Sequence, residues 1–209
     1  MIHSKDDFKQ YVLADMKSLG MEYPSIKLRV KTLLSPPPPR IWKFQFMLRE
    51  CEYEWNCRRK NIWQKIIFKL KYMRLQGYAS KLGFEIPLNV CGPGLCICHP
   101  GLLVINGNAR IGANARIHAG VNIGSFSRFD EHWQPDSAPV IGDNVYIGPG
   151  AKLFGRISIG NDVAIGANAV VNKSFPNHVT IAGVPAKIIN LNGSKDMIIY
   201  GYTDIKIKN

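Results

Sequence analysis

The sequence predicts a mainly β chain, a parallel β-helix of hexapeptide repeats preceded by an N-terminal α-helical segment. Three observations carry this expectation. From Ile105 an aliphatic residue returns every six positions, at Ile105, Ile111, Ile117 and Ile123, then at Ile141, Ile147, Leu153, Ile159, Ile165 and Val171. Gly and Asn gather between them, where turns need left-handed backbone. Before residue 84, by contrast, the apolar residues fall at helical spacing.

The helical half is read in order. Ser4 with Asp7 three residues on resembles a capping box, and Phe8, Val12, Met16 and Leu19 follow one face as far as Gly20. Four prolines, Pro36 to Pro39, stop any helix because they lack amide donors. A second helix is expected from Trp42, with Phe46, Arg49 and Tyr53 on one side. A third is expected from about Ile62 to Gly77, its core stripe formed by Ile66, Leu70 and Met73.

The hexads follow a different logic. A period of six is neither that of a helix nor the alternation of a single strand. It suits a short strand plus a turn, so that one aliphatic side chain per unit points inward and stacks on the next coil. A second small or β-branched position recurs four places later, at Ala109, Ala115, Val121, Val145, Ala151, Ile157, Val163 and Ala169. Three hexads per coil at about 4.8 Å per layer make a prism about 25 Å tall. Its ends need caps, and the helices and the segment after Lys187 are the candidates. The expected division is therefore 1–83 helical, 84–189 β-helix with a loop excursion at 125–139, and 190–209 a C-terminal tail.

Composition narrows the class. With 46% apolar and 20% charged residues over 209 positions, the chain is neither a disordered tail nor a membrane bundle. Its apolar runs fall far short of the roughly 20 residues a spanning helix needs. Lys5, Asp6 and Asp7 interrupt any apolar leader, so a cytoplasmic location with reduced thiols is expected. Five cysteines without a CxxC pair argue against a disulfide framework or a zinc ribbon. Cys96-x-Cys98-His99 is too compressed for tetrahedral zinc, and no metal is expected. The net charge of +12 is concentrated before residue 82. That half is either a solvated helix surface or a patch for an anionic partner. Peripheral association with the inner membrane face is the expected form of the second reading, and no nucleic acid is expected.

The hexads, the closing Ala182-Gly183-Val184-Pro185-Ala186-Lys187 and the segment Gly92-Pro93-Gly94-Leu95-Cys96-Ile97-Cys98-His99 resemble the hexapeptide-repeat acyltransferases. Within them the chain is similar to the serine acetyltransferase-like branch of capsule and exopolysaccharide gene clusters. The resemblance implies a left-handed β-helix, a homotrimer with active sites between prisms, and acetyl-CoA as co-substrate. It further implies His99 as the general base that deprotonates the acceptor hydroxyl, a task suited to a group titrating near neutrality. For acetyl-CoA it points to Gly124, Ser125, Pro149 and Ala167, where small side chains leave room for the pantetheine arm, and to Lys187 in the closing turn for a phosphate. Pro149 removes an amide donor from that wall.

Two departures from the family bear on the acceptor. Cys98 stands where serine acetyltransferases carry an aspartate before the histidine, so the base is oriented by a backbone carbonyl or by a group from elsewhere, and His118, Asp130, Glu131, His132 and Asp136 are the candidates to partner the base or bind the acceptor. Ser137-Ala138 stands where they carry an Arg-His pair that holds the amino acid. With the aromatic and acidic residues of the excursion, these departures favour a hydroxyl of a cell-surface polysaccharide sugar as acceptor. Serine is the alternative acceptor, and a non-catalytic trimeric scaffold is the competing class.

Overall fold

The computed structural model describes residues 1–21, 39–125, 134 and 137–203. Helix α1 (Lys5–Ser18) begins where the cap predicts, with Ser4 Oγ accepting the Asp7 N–H at 3.0 Å. Helix α2 (Arg40–Tyr53) starts directly after Pro39 and runs into a π turn at Glu54–Arg58. Helix α3 (Ile62–Leu82) is capped by Asn61, whose side chain accepts the Gln64 N–H.

Two expectations for α3 are corrected. The helix passes through Gly77 and ends at Gly83, whose φ of 78° supplies the left-handed cap. A mid-helix glycine costs only about 1 kcal/mol, and burial of Ala79 and Leu82 beyond it offsets that. The packed stripe is Phe68, Tyr72, Leu75, Ala79 and Leu82, not Ile66, Leu70 and Met73, which face outward.

The rest of the chain is a prism of short strands. The first coils contain β1 (Phe84–Glu85), β2 (Cys96–Ile97), β3 (Leu103–Ile105), β4 (Arg110–Ile111), β5 (Arg116–Ile117) and β6 (Asn122–Gly124). After the excursion come β7 (Val140–Ile141), β8 (Tyr146–Ile147), β9 (Lys152–Phe154), β10 (Ser158–Ile159), β11 (Ala164–Ile165) and β12 (Val170–Val171). The chain closes with β13 (Thr180–Gly183) and β14 (Ala186–Asn190). Three sheets form the faces, ordered β1-β3-β6-β9-β12, β10-β7-β4 and β14-β13-β11-β8-β5-β2, parallel except where β14 turns back on β13.

The hexad reading is borne out residue by residue. All ten six-step aliphatics and all eight small or β-branched positions are buried. Ile105 stacks on Ile123, and Leu153 on Val171, eighteen positions apart. Ile123 stacks on Leu153 across the excursion, so the chain leaves and re-enters without a register change.

One corner is a ladder of left-handed residues. Asn114, Asn144, Asp162 and His178 have φ between 56° and 59°. Asn114 Nδ2 donates to Asn144 Oδ1, and Asn144 Nδ2 to Asp162 Oδ1, both at 2.9 Å. Asn and Asp tolerate this conformation, and stacking pairs their amides from coil to coil. The tail returns along this corner, where Asn114 and the Tyr202 backbone exchange hydrogen bonds.

The helices join the prism through buried polar groups. Arg49 is fully buried and reaches Asp15 at 2.9 Å and Glu52 at 3.0 Å. It also donates to the carbonyls of Cys91 and Gly92. Asp15 in turn accepts the Leu95 N–H, Gln45 donates to the Leu95 carbonyl and accepts the Ile97 N–H, and Ser18 Oγ donates to the Leu95 carbonyl. Every ionised group thus has partners, as burial demands. Burial opposes charge on Arg49, but the carboxylates of Asp15 and Glu52 outweigh it and hold the guanidinium protonated.

Candidate active site

His99 lies just past β2, at the corner where the chain turns from the β2 face to the β3 face, and it is exposed. The layer below it is fixed by pairing: Cys96 lies opposite Arg116 and Ile97 opposite Ile117, and Cys98 N donates to the Ile117 carbonyl at 3.0 Å. Side chains alternate along a strand. With Ile97 and Ile117 inside, Cys96, Cys98, Arg116 and His118 all belong to the outer face.

These groups meet. Cys98 Sγ lies 3.4 Å from His118 Nε2. The rings of His99 and His118 are 6.0 Å apart, and Tyr146 of the next layer packs 5.1 Å from His118. A hydrogen bond from Cys96 lowers the Cys98 thiol to about 7; burial opposes this and the Arg116 guanidinium reinforces it. Cys96 is raised correspondingly. His118 is lowered by burial first, then by Arg116 and His99, which keeps its ring neutral near pH 7. Arg116 Nε is buried without an acceptor, and among the described residues it is the single side-chain polar atom in that condition.

The thiols therefore differ in reactivity. Burial pushes Cys51 and Cys91 up to about 12. Only the thiolate is nucleophilic. Labelling with iodoacetamide, read site by site by mass spectrometry, will modify Cys98 at a rate that climbs with pH through about 7 and then levels. Cys51 and Cys91 will stay unmodified over that range. A Cys98 profile that keeps rising beyond pH 8.5, the midpoint of a free thiol, would show that Cys96 and Arg116 do not act on it.

The expected acetyl-CoA residues divide between two corners. Pro149 and Ala167 continue the His99 corner downward: Gly150 N donates to the Ala119 carbonyl and Asn168 N to the Pro149 carbonyl, one layer each. Beside them Gly148 is buried, and a Cβ there would meet the backbone of the next coil at 2.8 Å, so the layers approach closely; Lys187 pairs with Ala182 on β13 at the foot of the same face. Gly124 and Ser125 lie instead at the end of β6, where Ser125 Oγ accepts from Asn106 at 3.3 Å. One chain does not bring the two sets together. Asp130, Glu131, His132 and Asp136 lie outside the described residues. Ser137 and Ala138 are buried, and Ser137 Oγ accepts the Gln134 N–H, so neither offers a cation. Cys98 and Arg116 were not foreseen as members of the site. No group of three or more metal-ligating side chains occurs among the described residues.

Residues 138–173 match the bacterial transferase hexapeptide (six repeats) family. The serine acetyltransferase of Staphylococcus xylosus is 40% identical over 114 residues, 54% of this chain and 51% of that protein. That of Staphylococcus epidermidis is 33% identical over 144 residues, 64% of this chain and 66% of that protein. The chain thus spans about half to two thirds of the length of the curated relatives it matches. Among solved structures, the serine acetyltransferase of Brucella abortus strain S19 is similar with a TM-score of 0.66 and 26% identity, over 90% of this chain and 71% of that one. The same enzyme in complex with coenzyme A matches at 25% identity and a TM-score of 0.66, over 90% of this chain and 70% of that one. This likeness implies the left-handed winding. It also corrects the acceptor expected from the sequence: relatives and solved neighbours alike are serine acetyltransferases, and a polysaccharide acceptor is withdrawn.

Proposed function

We propose that this chain is an acetyl-CoA-dependent serine O-acetyltransferase that uses His99 as general base. The observation that carries the reading is the cluster of His99, Cys98, His118 and Arg116 on one prism face, in a chain similar to enzymes of that name. His99 takes the proton from the serine hydroxyl as its oxygen attacks the thioester carbonyl. The C–S bond then breaks, and His99 returns the proton to the departing sulfur, leaving O-acetylserine and the free thiol. Pro149 and Ala167, exposed below His99, form a strip of small side chains that suits a thin pantetheine arm. Three layers at about 4.8 Å give that strip a length of about 14 Å. Lys187 at its foot offers charge to a phosphate. Gly124 and Ser125 belong to the neighbouring prism's side of the cleft in a homotrimer.

Arg116 supplies the cation that Ser137-Ala138 lacks. Its half-buried guanidinium beside Cys98 and His118 puts positive charge on the outer face of the site, where it suits a carboxylate. Cys98 stands where the family has aspartate, and its sulfur meets His118, the imidazole next to His99. Thiol release from acetyl-CoA will therefore require L-serine, and Arg116→Ala will raise the KM for serine by about ten- to a hundredfold, the worth of a charged hydrogen bond, with the KM for acetyl-CoA unchanged. Serine-independent release would defeat the acceptor assignment, and an unaltered serine KM would remove Arg116 from it.

A further inference from the structure

Helix α3 presents a face to solvent that its own chain leaves uncovered. Ile62, Trp63, Ile66, Ile67, Leu70 and Met73 are between 43% and 72% exposed. At 3.6 residues per turn they occupy an arc of about 140°. The opposite side holds the helix on the protein through Leu75, Ala79 and Leu82. Scattered exposed apolar residues are ordinary, but six on one contiguous stripe are not.

The charges around the stripe have one sign. From Ile62 to Leu82 the helix carries Lys65, Lys69, Lys71, Arg74 and Lys81 and no acid, and Arg58-Arg59-Lys60 precede it. Lys65 and Lys69 flank one border of the stripe and Arg74 lies near the other; all three are exposed. Lys71 is the exception in that it turns toward the protein, where it pairs with Glu50 and Glu54. The exposed cations therefore have long apolar stems beside the stripe and heads free to reach outward.

We infer that α3 docks this protein flat onto an anionic lipid surface, with the apolar stripe entering the boundary between headgroups and acyl chains. Charge complementarity decides the occupant. A second copy of the chain, meeting α3 against α3, would set cations against cations. A phosphate-bearing lipid surface matches the cations and also receives the apolar groups, with Trp63 at the depth that indole favours. No helix among the described residues is long and apolar enough to cross a membrane, so the attachment is peripheral. It stands apart from the acceptor reading, because α3 contributes nothing to the His99 cluster.

Flotation of the 209-residue chain with vesicles tests it. Equimolar phosphatidylglycerol and phosphatidylcholine vesicles will carry the protein at low salt, pure phosphatidylcholine vesicles will carry little, and added salt will release it. The pair Lys65→Glu and Lys69→Glu will weaken binding about tenfold or more, as will Trp63→Ser with Leu70→Ser. These positions are exposed, and unchanged thermal melting will show that the variants are folded. Failure of the unmodified chain to float with the anionic vesicles at low salt would overturn the inference. So would equal binding to both vesicle types, or a self-association in sedimentation that the Trp63 and Leu70 changes abolish while vesicle binding persists.

Discussion

Replacing His99 by Ala lowers the turnover of L-serine and acetyl-CoA by about a hundred- to ten-thousandfold, the range set by loss of a general base, while coenzyme A binds as before. The serine hydroxyl is far too weak an acid to ionise near neutrality, so its proton must leave as the new bond forms. An imidazole can accept it there and give it back to a leaving thiolate. His99 is exposed at the corner past β2, so its loss removes chemistry and little packing. Steady-state thiol release together with calorimetric titration of coenzyme A separates the two effects. A near-normal rate in the variant would move the base elsewhere, with His118, 6.0 Å away between ring centres, next in line.

Replacing Arg49 by Met destabilises the fold by about 3–5 kcal/mol, the usual cost of removing one partner from a buried ion group. The methionine fills most of the volume, so the loss is electrostatic. Asp15 and Glu52 would be left as buried carboxylates without a counter-charge, and the carbonyls of Cys91 and Gly92 would lose their donor. Urea denaturation is the measurement: the midpoint should fall while the slope stays the same. Adding Asp15→Asn and Glu52→Gln to Arg49→Met should restore part of the stability, since the uncompensated charges are then gone. A single variant with an unshifted midpoint would mean that water reaches the carboxylates.

The prism was legible because its constraint is local and periodic. Each hexad residue from Ile105 to Val171 is inward, since a single packing rule repeats at every turn. The first coil escapes the rule. Stepping eighteen residues back from Ile117 leads to His99, whereas Ile97 is its true neighbour, because Pro100-Gly101-Leu102 makes a longer corner. That extra length is what turns His99 outward. Helix α3 was misread for a different reason. Ile66, Leu70 and Met73 are as periodic as Phe68, Leu75 and Ala79, and pattern alone does not say which of two apolar faces meets the protein. Arg49 was read only as one position on a helix side, because the carbonyls of Cys91 and Gly92 that it meets lie 42 and 43 residues away in sequence. Cys98 and Arg116 joined the site through coil stacking, which sets residues twenty apart side by side. The acceptor was inferred from the lack of an Arg-His pair at 137–138, a reading blind to a cation on another coil.

The polar groups of α1 and α2 on the first coil have a consequence for self-assembly. A stack of parallel coils has no natural stopping point: its last layer offers the same row of amides and carbonyls that the next layer would use, and copies of such a stack can add end to end into filaments. Here Asp15, Gln45, Ser18 and Arg49 occupy those groups from Cys91 to Ile97. At the far end the reversed direction of β14 presents a pairing pattern that a parallel newcomer cannot continue. On the face that runs from β2 to β14, end-to-end addition is thus blocked at both ends, which leaves the sides of the prism as the direction in which copies would share their clefts.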